Sequence, residues 1–358
     1  MQIRPLTATD RPAFLALWQA AFGDGPDVYE AMEACFGDDL RSFVLVDGEV
    51  VAALTQFVMG DFTGPRSAAG ARSSVTSGTA LPVYVSYAIN TRADARGRGY
   101  GSAITEFARD LAHSRGGASL LCPASPSLID FYKPLGYAPW GYALQRPLFS
   151  SLSDPVDDHR AFAASDPSTS RAFGLPAAES SFRALTAEEY QALREQALAD
   201  RTHVTLSDEA LAFVEQTVSG LVELGLRIAE PGYPAVIQAV AAYTRSADDA
   251  FSAGDATIPT EPAGNTASLF IDELLVTDVE QAPDDFGTEA AADLAAAFLA
   301  DHFADSRCAY RTPAPAETCA NDPGLYVQAM ISLPAAAAES SAAESATTSL
   351  PYFGFPFD

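Results

Sequence analysis

Residues 83–104 read VYVSYAINTRADARGRGYGSAI, and the fold follows from how this stretch is parsed. Val83 to Ile89 is an apolar, β-rich run, which predicts a buried strand. Ile104, Phe107, Ala108 and Leu111 recur at the spacing of one buried helix face. Between strand and helix lies a loop rich in glycine and arginine. Strand, glycine loop and helix in succession aim free backbone N–H groups at an anion. Gly97, Gly99 and Gly101 are expected to take positive φ and to let the backbone approach a ligand closely. Arg92, Arg96 and Arg98 add positive charge on the same loop. The stretch predicts a phosphate-binding turn.

Spacing narrows the kind of phosphate ligand. A Walker loop ends in Gly-Lys-Ser/Thr, and the only lysine of the chain is Lys133. A dinucleotide fingerprint needs G-x-G-x-x-G; counted from Gly97 the last position is Ser102, and counted from Gly99 it is Ile104. Both patterns fail. Arg96-Gly97-Arg98-Gly99-Tyr100-Gly101 instead resembles the (Q/R)-x-x-G-x-(G/A) loop of the GNAT acyl-CoA N-acyltransferases. Further along, Ala118 to Cys122 is a short buried-strand pattern, and Ser127-Leu-Ile-Asp-Phe-Tyr132-Lys-Pro-Leu-Gly136-Tyr137 resembles the "FYxxxGF" segment of the same family. The two motifs stand in the family's order and at its separation.

The resemblance implies an α/β (α+β) fold with a mixed, mostly antiparallel sheet flanked by helices. It implies acetyl-CoA as co-substrate, no metal, and direct transfer of the acetyl group to a primary amine. Carried over residue by residue, the cofactor-binding positions are Ala88, Ile89, Asn90, Thr91, Arg96, Gly97, Arg98, Gly99, Tyr100, Gly101, Ser102, Ser127 and Phe131. In the family the core strand splays from its neighbour at a bulge, where a backbone N–H, here of Ile89 or its neighbour, polarises the thioester carbonyl. Tyr132 is the implied general acid. An ordinary tyrosine near pKa 10 is protonated at pH 7, whereas a thiol near 8.5 is the weaker base, so a hydrogen bond to the departing thiolate is expected rather than full transfer. The core strand offers Ser86 and Tyr87 where many family members carry a glutamate, so the general base is not legible. The alternative function is a non-catalytic acyl-CoA-binding or assembly module.

Composition sets the outer limits. The 358 residues are 48% hydrophobic and 10% aromatic without a membrane-length apolar run, the profile of a globular chain long enough for two domains. A strand already begins near Ile3, so no leader peptide is expected. Cys35, Cys122, Cys308 and Cys319 are too scattered for a zinc pattern and read as reduced thiols of a cytoplasmic protein. A net charge of −26 argues against nucleic acid and anionic membranes as partners and favours a cationic small-molecule amine, with the protein a monomer or homo-oligomer.

Taken in order, residues 1–150 are expected to form the catalytic domain. Gln2 to Pro5 is a strand; Thr7 or Thr9 caps a helix burying Phe14, Leu17, Trp18 and Phe22; and Asp27 to Phe36 is a second helix. Phe43 to Val46 and Val50 to Phe57 form a hairpin about Asp47-Gly48, and residues 60–81 form a loop. Tyr142 to Leu148 ends the domain. Residues 151–181 read as a linker. Residues 182–334 then repeat the order weakly: Arg183-Ala-Leu-Thr-Ala187 echoes Arg4-Pro-Leu-Thr-Ala8, and helices and strands recur at matching places. The loop of this copy, Thr277 to Phe286, carries acids where the first copy carries arginines and glycines, so a tandem, degenerate GNAT-like domain is expected. Residues 335–349 are a low-complexity spacer. The aromatic end, Leu350 to Asp358, is expected not to stay in water, and Tyr352 to Asp358 to fold back onto the catalytic half.

Overall fold

The computed structural model describes residues 1–23, 25–65, 81–149, 178–230, 233–245, 269–282, 288–303, 307–314, 325–334 and 351–353. Strand β1 (Gln2–Pro5) leads into α1 (Arg11–Phe22) and α2 (Pro26–Phe36). Phe14, Leu17 and Trp18 are buried at helical spacing, and Phe14 and Trp18 meet Tyr29 of α2 edge to face at 4.9 and 5.4 Å. The cap is neither threonine: Asp10 is the N-cap residue, without a side-chain cap. Its carboxylate is engaged by Arg4 at 2.5 and 3.0 Å and by the Thr7 N–H at 3.2 Å, a charge-assisted set that a threonine hydroxyl cannot match.

The hairpin β2 (Arg41–Asp47) and β3 (Glu49–Thr63) turns on Gly48, whose φ of +79° explains the glycine. Burial alternates along it: Phe43 and Leu45 join the core on one face of the sheet, and Val44 and Ala53 the core on the other. β3 outruns the expected strand, because residues 60–63 pair with a strand of the second half, β8, described below. A Cβ at Gly60 would stand 1.8 Å from the Thr205 carbonyl oxygen, so this pairing requires a glycine. The remainder of the expected loop, residues 66–80, lies outside the described residues.

The core strand β4 (Leu81–Thr91), helix α3 (Tyr100–Ser114), strand β5 (Ala118–Leu121), the short helix α4 (Pro126–Tyr132) and strand β6 (Ala138–Phe149) complete the first half. α3 buries Ile104 and Ala108 as its spacing predicts, with Tyr100, Thr105 and Ala112 besides. The second half runs β7 (Ala178–Ala184), α5 (Ala187–Ala197), β8 (His203–Leu206), α6 (Asp208–Thr217), β9 (Gly220–Glu230), β10 (Tyr233–Arg245), β11 (Leu269–Glu280), α7 (Thr288–His302), β12 (Arg307–Pro313) and β13 (Leu325–Ser332). α5 starts at a complete capping box of Thr186 and Glu189. β7 begins within the stretch read as linker, and β11 continues to Glu280 through the start of the stretch read as an acidic loop; both gain ladder partners, in β9 and β10.

All the strands but β8 lie along one sheet of order β1-β2-β3-β4-β5-β13-β6-β12-β11-β10-β9-β7; β8 pairs with β3 off this path. Among the described strands only β4–β5 and β11–β12 are parallel pairs; the sheet is otherwise antiparallel. Its centre is an exchange. β13 of the second half pairs with β5 of the first (Met330↔Leu121, Ile331↔Leu120), and β6 of the first pairs with β12 of the second (Leu148↔Cys308, Arg146↔Tyr310). β6 and β13 also pair with each other. Each half thus covers the open edge of the other's parallel strand, an edge that would otherwise expose unpaired N–H and C=O groups. No described helix is long and apolar enough to cross a membrane.

Candidate active site

β4 and β5 pair only from Val83↔Ala118 to Val85↔Leu120. Beyond that point β4 runs on for six residues without this partner, so a V-shaped cleft opens between them. On its other side β4 pairs with β3 from Thr55↔Tyr87 to Ala53↔Asn90, which sets Ala88 and Ile89 against the single residue Leu54. This is the bulge that the resemblance implied. Ala88 has φ of +52°, a left-handed conformation costing an alanine about 1–2 kcal/mol. Asn90 is buried and its side-chain amide donates to the Ala88 carbonyl at 3.0 Å, so its side chain braces the bulge. Strain held in place by a dedicated hydrogen bond at the mouth of a cleft is a mark of a working site.

The loop reaches α3 through a 3₁₀ turn at Ala93–Ala95. Gly97 and Gly99 have φ of +76° and +81°, and a Cβ on either would meet nothing within 4 Å, so the space above them is open. Gly101 differs from the expectation: it is helical, and its glycine serves a close approach instead. A Cβ there would lie 3.3 Å from Thr91 Oγ1 and 3.6 Å from Phe131 Cζ. The end of β4, the loop and α4 therefore converge at Gly101. α3 has no side-chain cap, and among the described residues no acceptor meets the N–H groups of Tyr100, Gly101 and Ser102. Three free N–H groups at a helix start form an anion seat.

The arginines divide. Arg92 is taken by Glu49 at 2.6 Å and by Asp94 at 2.6 and 3.1 Å, so its charge is spent within the loop, contrary to the sequence reading. Arg96 donates to the Thr91 carbonyl at 3.2 Å, tying loop to strand. Arg98 forms no ion pair among the described residues and carries the loop's available charge. The Tyr100 ring is buried and its hydroxyl donates to Asp47 at 2.5 Å, which leaves its backbone N–H as the part that faces a ligand.

Tyr132 ends α4 inside an apolar cluster of Leu121, Leu135, Tyr137 and Met330, with Ile89 of the bulge packed against it. Its ring lies 6.1 Å from that of Tyr137, whose hydroxyl is hydrogen-bonded to Ser119 at 2.8 Å. Among the described residues the Tyr132 hydroxyl has no hydrogen-bond partner. Burial pushes it well above the ordinary tyrosine value, with smaller contributions from Tyr137 and Cys122. Full proton transfer to a thiolate is thus more costly than the sequence alone implied, and donation of a hydrogen bond is what the site allows. Phe131 is half-exposed beside it at 5.0 Å. Ser127, on the first turn of α4, is hydrogen-bonded to the Ser125 hydroxyl at 2.8 Å; among the described residues no hydrogen bond ties it to the loop. Sequence reasoning missed Met330 and Val327, which come from β13 and complete the Tyr132 surroundings. The alternation of 325–332 marks a strand, but nothing in it names β5 as partner.

The second half repeats the fork with its bulge displaced: the β10–β11 register slips at Asp272, two residues before the position aligned with Ala88, and again at Thr277. β11 and β12 pair from Leu269↔Cys308 to Ile271↔Tyr310, which aligns Glu273 with Tyr87, and Leu274 with Ala88. Leu274 and Leu275 lie in unbroken register with Ala241 and Val240, and both are buried. Residues 283–287 of the matching loop lie outside the described residues. A cavity of ≈ 700 Å³ opens elsewhere, between β1, α1, β2 and the last turns of α3, and none of the cleft residues lines it. Among the described residues no group of His, Cys, Asp and Glu is placed to hold a metal ion.

No protein-family model and no curated protein sequence matches the chain. Solved structures do. A GCN5-related N-acetyltransferase from Kribbella flavida is 17% identical and superposes with a TM-score of 0.52 over 95% of this chain and 73% of its own. A conserved protein of unknown function from Enterococcus faecalis V583, titled a probable N-acyltransferase, is 12% identical, with a TM-score of 0.52 over 92% of this chain and 72% of its own. The fold is that of the GCN5-related N-acetyltransferases.

Proposed function

We propose that the protein is an acetyl-CoA-dependent N-acetyltransferase that acts on a primary amine of a small cationic acceptor. In this reading the first half carries the chemistry and the second is a degenerate copy. One observation carries the proposal: the β4–β5 cleft opens beside a left-handed bulge at Ala88 and ends on the free N–H groups of Tyr100 to Ser102. These parts fit acetyl-CoA. The open space over Gly97 and Gly99 would take a pyrophosphate, Arg98 supplies charge, and the unpaired stretch of β4 past Val85 offers its backbone to an extended acyl-pantetheine arm. The co-substrate supplies the activated acyl group.

The chain's own residues then have separate tasks. The bulge turns the peptide groups of Ala88 and Ile89 out of the ladder, toward a developing oxyanion; deleting one such donor costs about 2.7–4 kcal/mol in enzymes where this has been measured. The unpartnered Tyr132 hydroxyl donates to the departing sulfur. Burial keeps it protonated across the whole working pH range. In the second half the register slips at Asp272 rather than at Leu274, and neither residue is left-handed, which supports assigning the chemistry to the first half. The rival reading, an acyl-CoA-binding module without turnover, draws on the lack of a carboxylate on β4. Titration calorimetry with acetyl-CoA, followed by a free-thiol assay over amines, polyamines, aminoglycosides and amino acids, separates the two. Binding with amine-dependent thiol release supports the enzyme, binding without release supports the module, and no binding refutes both.

A further inference from the structure

The second fork is not empty. β11 and β12 part after Ile271↔Tyr310, as β4 and β5 part after Val85↔Leu120. Past the fork stand Asp272 and Glu273 on β11 and Arg311 on β12, all buried. In the first half the residue aligned with Glu273 is Tyr87, which packs on Trp18 of α1 at 5.6 Å. In the second half α5 answers Glu273 with the Tyr190 hydroxyl, which donates to it, and with Arg194 Nε at 3.1 Å. Arg194 reaches further, to the Val204 carbonyl at 2.8 Å and the Phe353 carbonyl at 3.0 Å.

Phe353 belongs to the far end of the chain. Tyr352 and Phe353 are 0% exposed. The backbone there is held on both sides: the Tyr352 N–H donates to the Thr202 carbonyl and the Tyr142 N–H to the Pro351 carbonyl, each at 3.0 Å. Tyr352 also bridges His203 of β8 in parallel fashion. The same Arg194 guanidinium that holds the Phe353 carbonyl also holds Glu273, so the segment is tied to the fork through one side chain. On the β6 side Gly141 makes room, since a Cβ there would lie 3.0 Å from Phe353 Cβ. Three residues thus receive backbone hydrogen bonds at both flanks, a guanidinium on a carbonyl, and a fitted aromatic seat.

We propose that the second half's fork is a peptide-binding cleft whose resident ligand is the chain's own C-terminal Pro351-Tyr352-Phe353 segment. The peptide lies where the first half leaves its cleft open. The recognition chemistry is that of a short aromatic strand: backbone pairing for affinity, and buried ring pockets for specificity. The ligand is tethered by the Ala/Ser/Glu-rich segment of residues 335–349, which makes its binding intramolecular and its effective concentration high.

The test uses the full chain with a protease recognition sequence introduced between residues 338 and 346. After cleavage, the C-terminal piece is expected to co-migrate with the body on gel filtration. A fluorescent peptide of residues 349–358 should exchange into the site, while the same peptide carrying Tyr352→Ala and Phe353→Ala should bind at least about 30-fold more weakly. Gly141→Leu, which fills the room made for Phe353, should lower the affinity for the unmodified peptide without altering acetyl-CoA binding. Three results overturn the proposal: departure of the cleaved piece with an unchanged melting temperature, equal binding of the two peptides, or collapse of the cleaved body into aggregates, which would make the segment an inseparable part of the core.

Discussion

Tyr132→Phe separates a catalytic hydroxyl from a structural one. The ring fills a pocket of Leu121, Leu135, Tyr137 and Met330, and phenylalanine keeps that ring. The hydroxyl has no hydrogen-bond partner among the described residues, so removing it breaks no internal bond. Stability should change by less than about 0.5 kcal/mol, the range of substitutions away from any named mechanism of damage. If the hydroxyl donates to the leaving sulfur, turnover should fall by roughly 10²–10⁴-fold with little change in acetyl-CoA affinity. The two measurements are a denaturant melt and a thiol-release assay at saturating donor. The pH profile adds a third arm: burial raises Tyr132, so its deprotonation should produce no alkaline loss of kcat below pH 10. A variant with full turnover, or one whose turnover loss is matched by lost stability, refutes the role.

Gly99→Asp, which sets a carboxylate on the anion seat at φ of +81°, should abolish acetyl-CoA binding by calorimetry, whereas Thr288→Asp at the matching helix of the second half should leave it intact. Gly97→Ala meets no atom within 4 Å and should cost only the backbone strain, about 1–2 kcal/mol in a denaturant melt; a larger loss would show that the loop is packed rather than open. Residues 1–150 expressed alone lack β13, hence the buried Ala329, Met330 and Ile331, and should lose at least about 5 kcal/mol and fail to give a dispersed NMR spectrum; a well-folded fragment would contradict the exchanged strands. Glu195 is held at about 2: burial would raise it, but the His203 hydrogen bond at 3.2 Å and the charges of His203 and Arg194 outweigh this. Because its folded pKa is depressed below the ordinary 4.5, its contribution is present above pH 4.5 and is lost as pH falls toward 2. That contribution is on the order of 2 kcal/mol after allowance for partial exposure, and His203→Gln should reduce this acid-side slope in a pH series of melts, the part due to Arg194 remaining.

What could be read from the sequence was local. The strand, glycine loop and helix of 81–114 follow from periodicity, and the Ala88 bulge was foreseen by likeness to a family, though no feature of the alanine itself announces it. Gly60 was visible as a glycine, but its reason, a carbonyl of Thr205 at 1.8 Å from any Cβ, depends on a contact across more than 140 positions. Arg92 looked like a phosphate ligand because counting charges on a loop ignores Glu49, which lies on a neighbouring strand. The exchange of β6 and β13 was illegible for the same reason: strand patterns report burial and leave the partner open. The aromatic end of the chain announced that it would be buried, and Tyr352 and Phe353 are, but nothing in it names Tyr142 of the first half and Arg194 and Thr202 of the second as the groups that hold it.

The central claim is tested most directly by acetyl-CoA-dependent thiol release from the wild-type chain and Gly99→Asp side by side, over one panel of primary amines. The account predicts amine-dependent release by the wild-type protein and none above background by the variant. Equal release by both proteins, or none by the wild type with any amine of the panel, would contradict it.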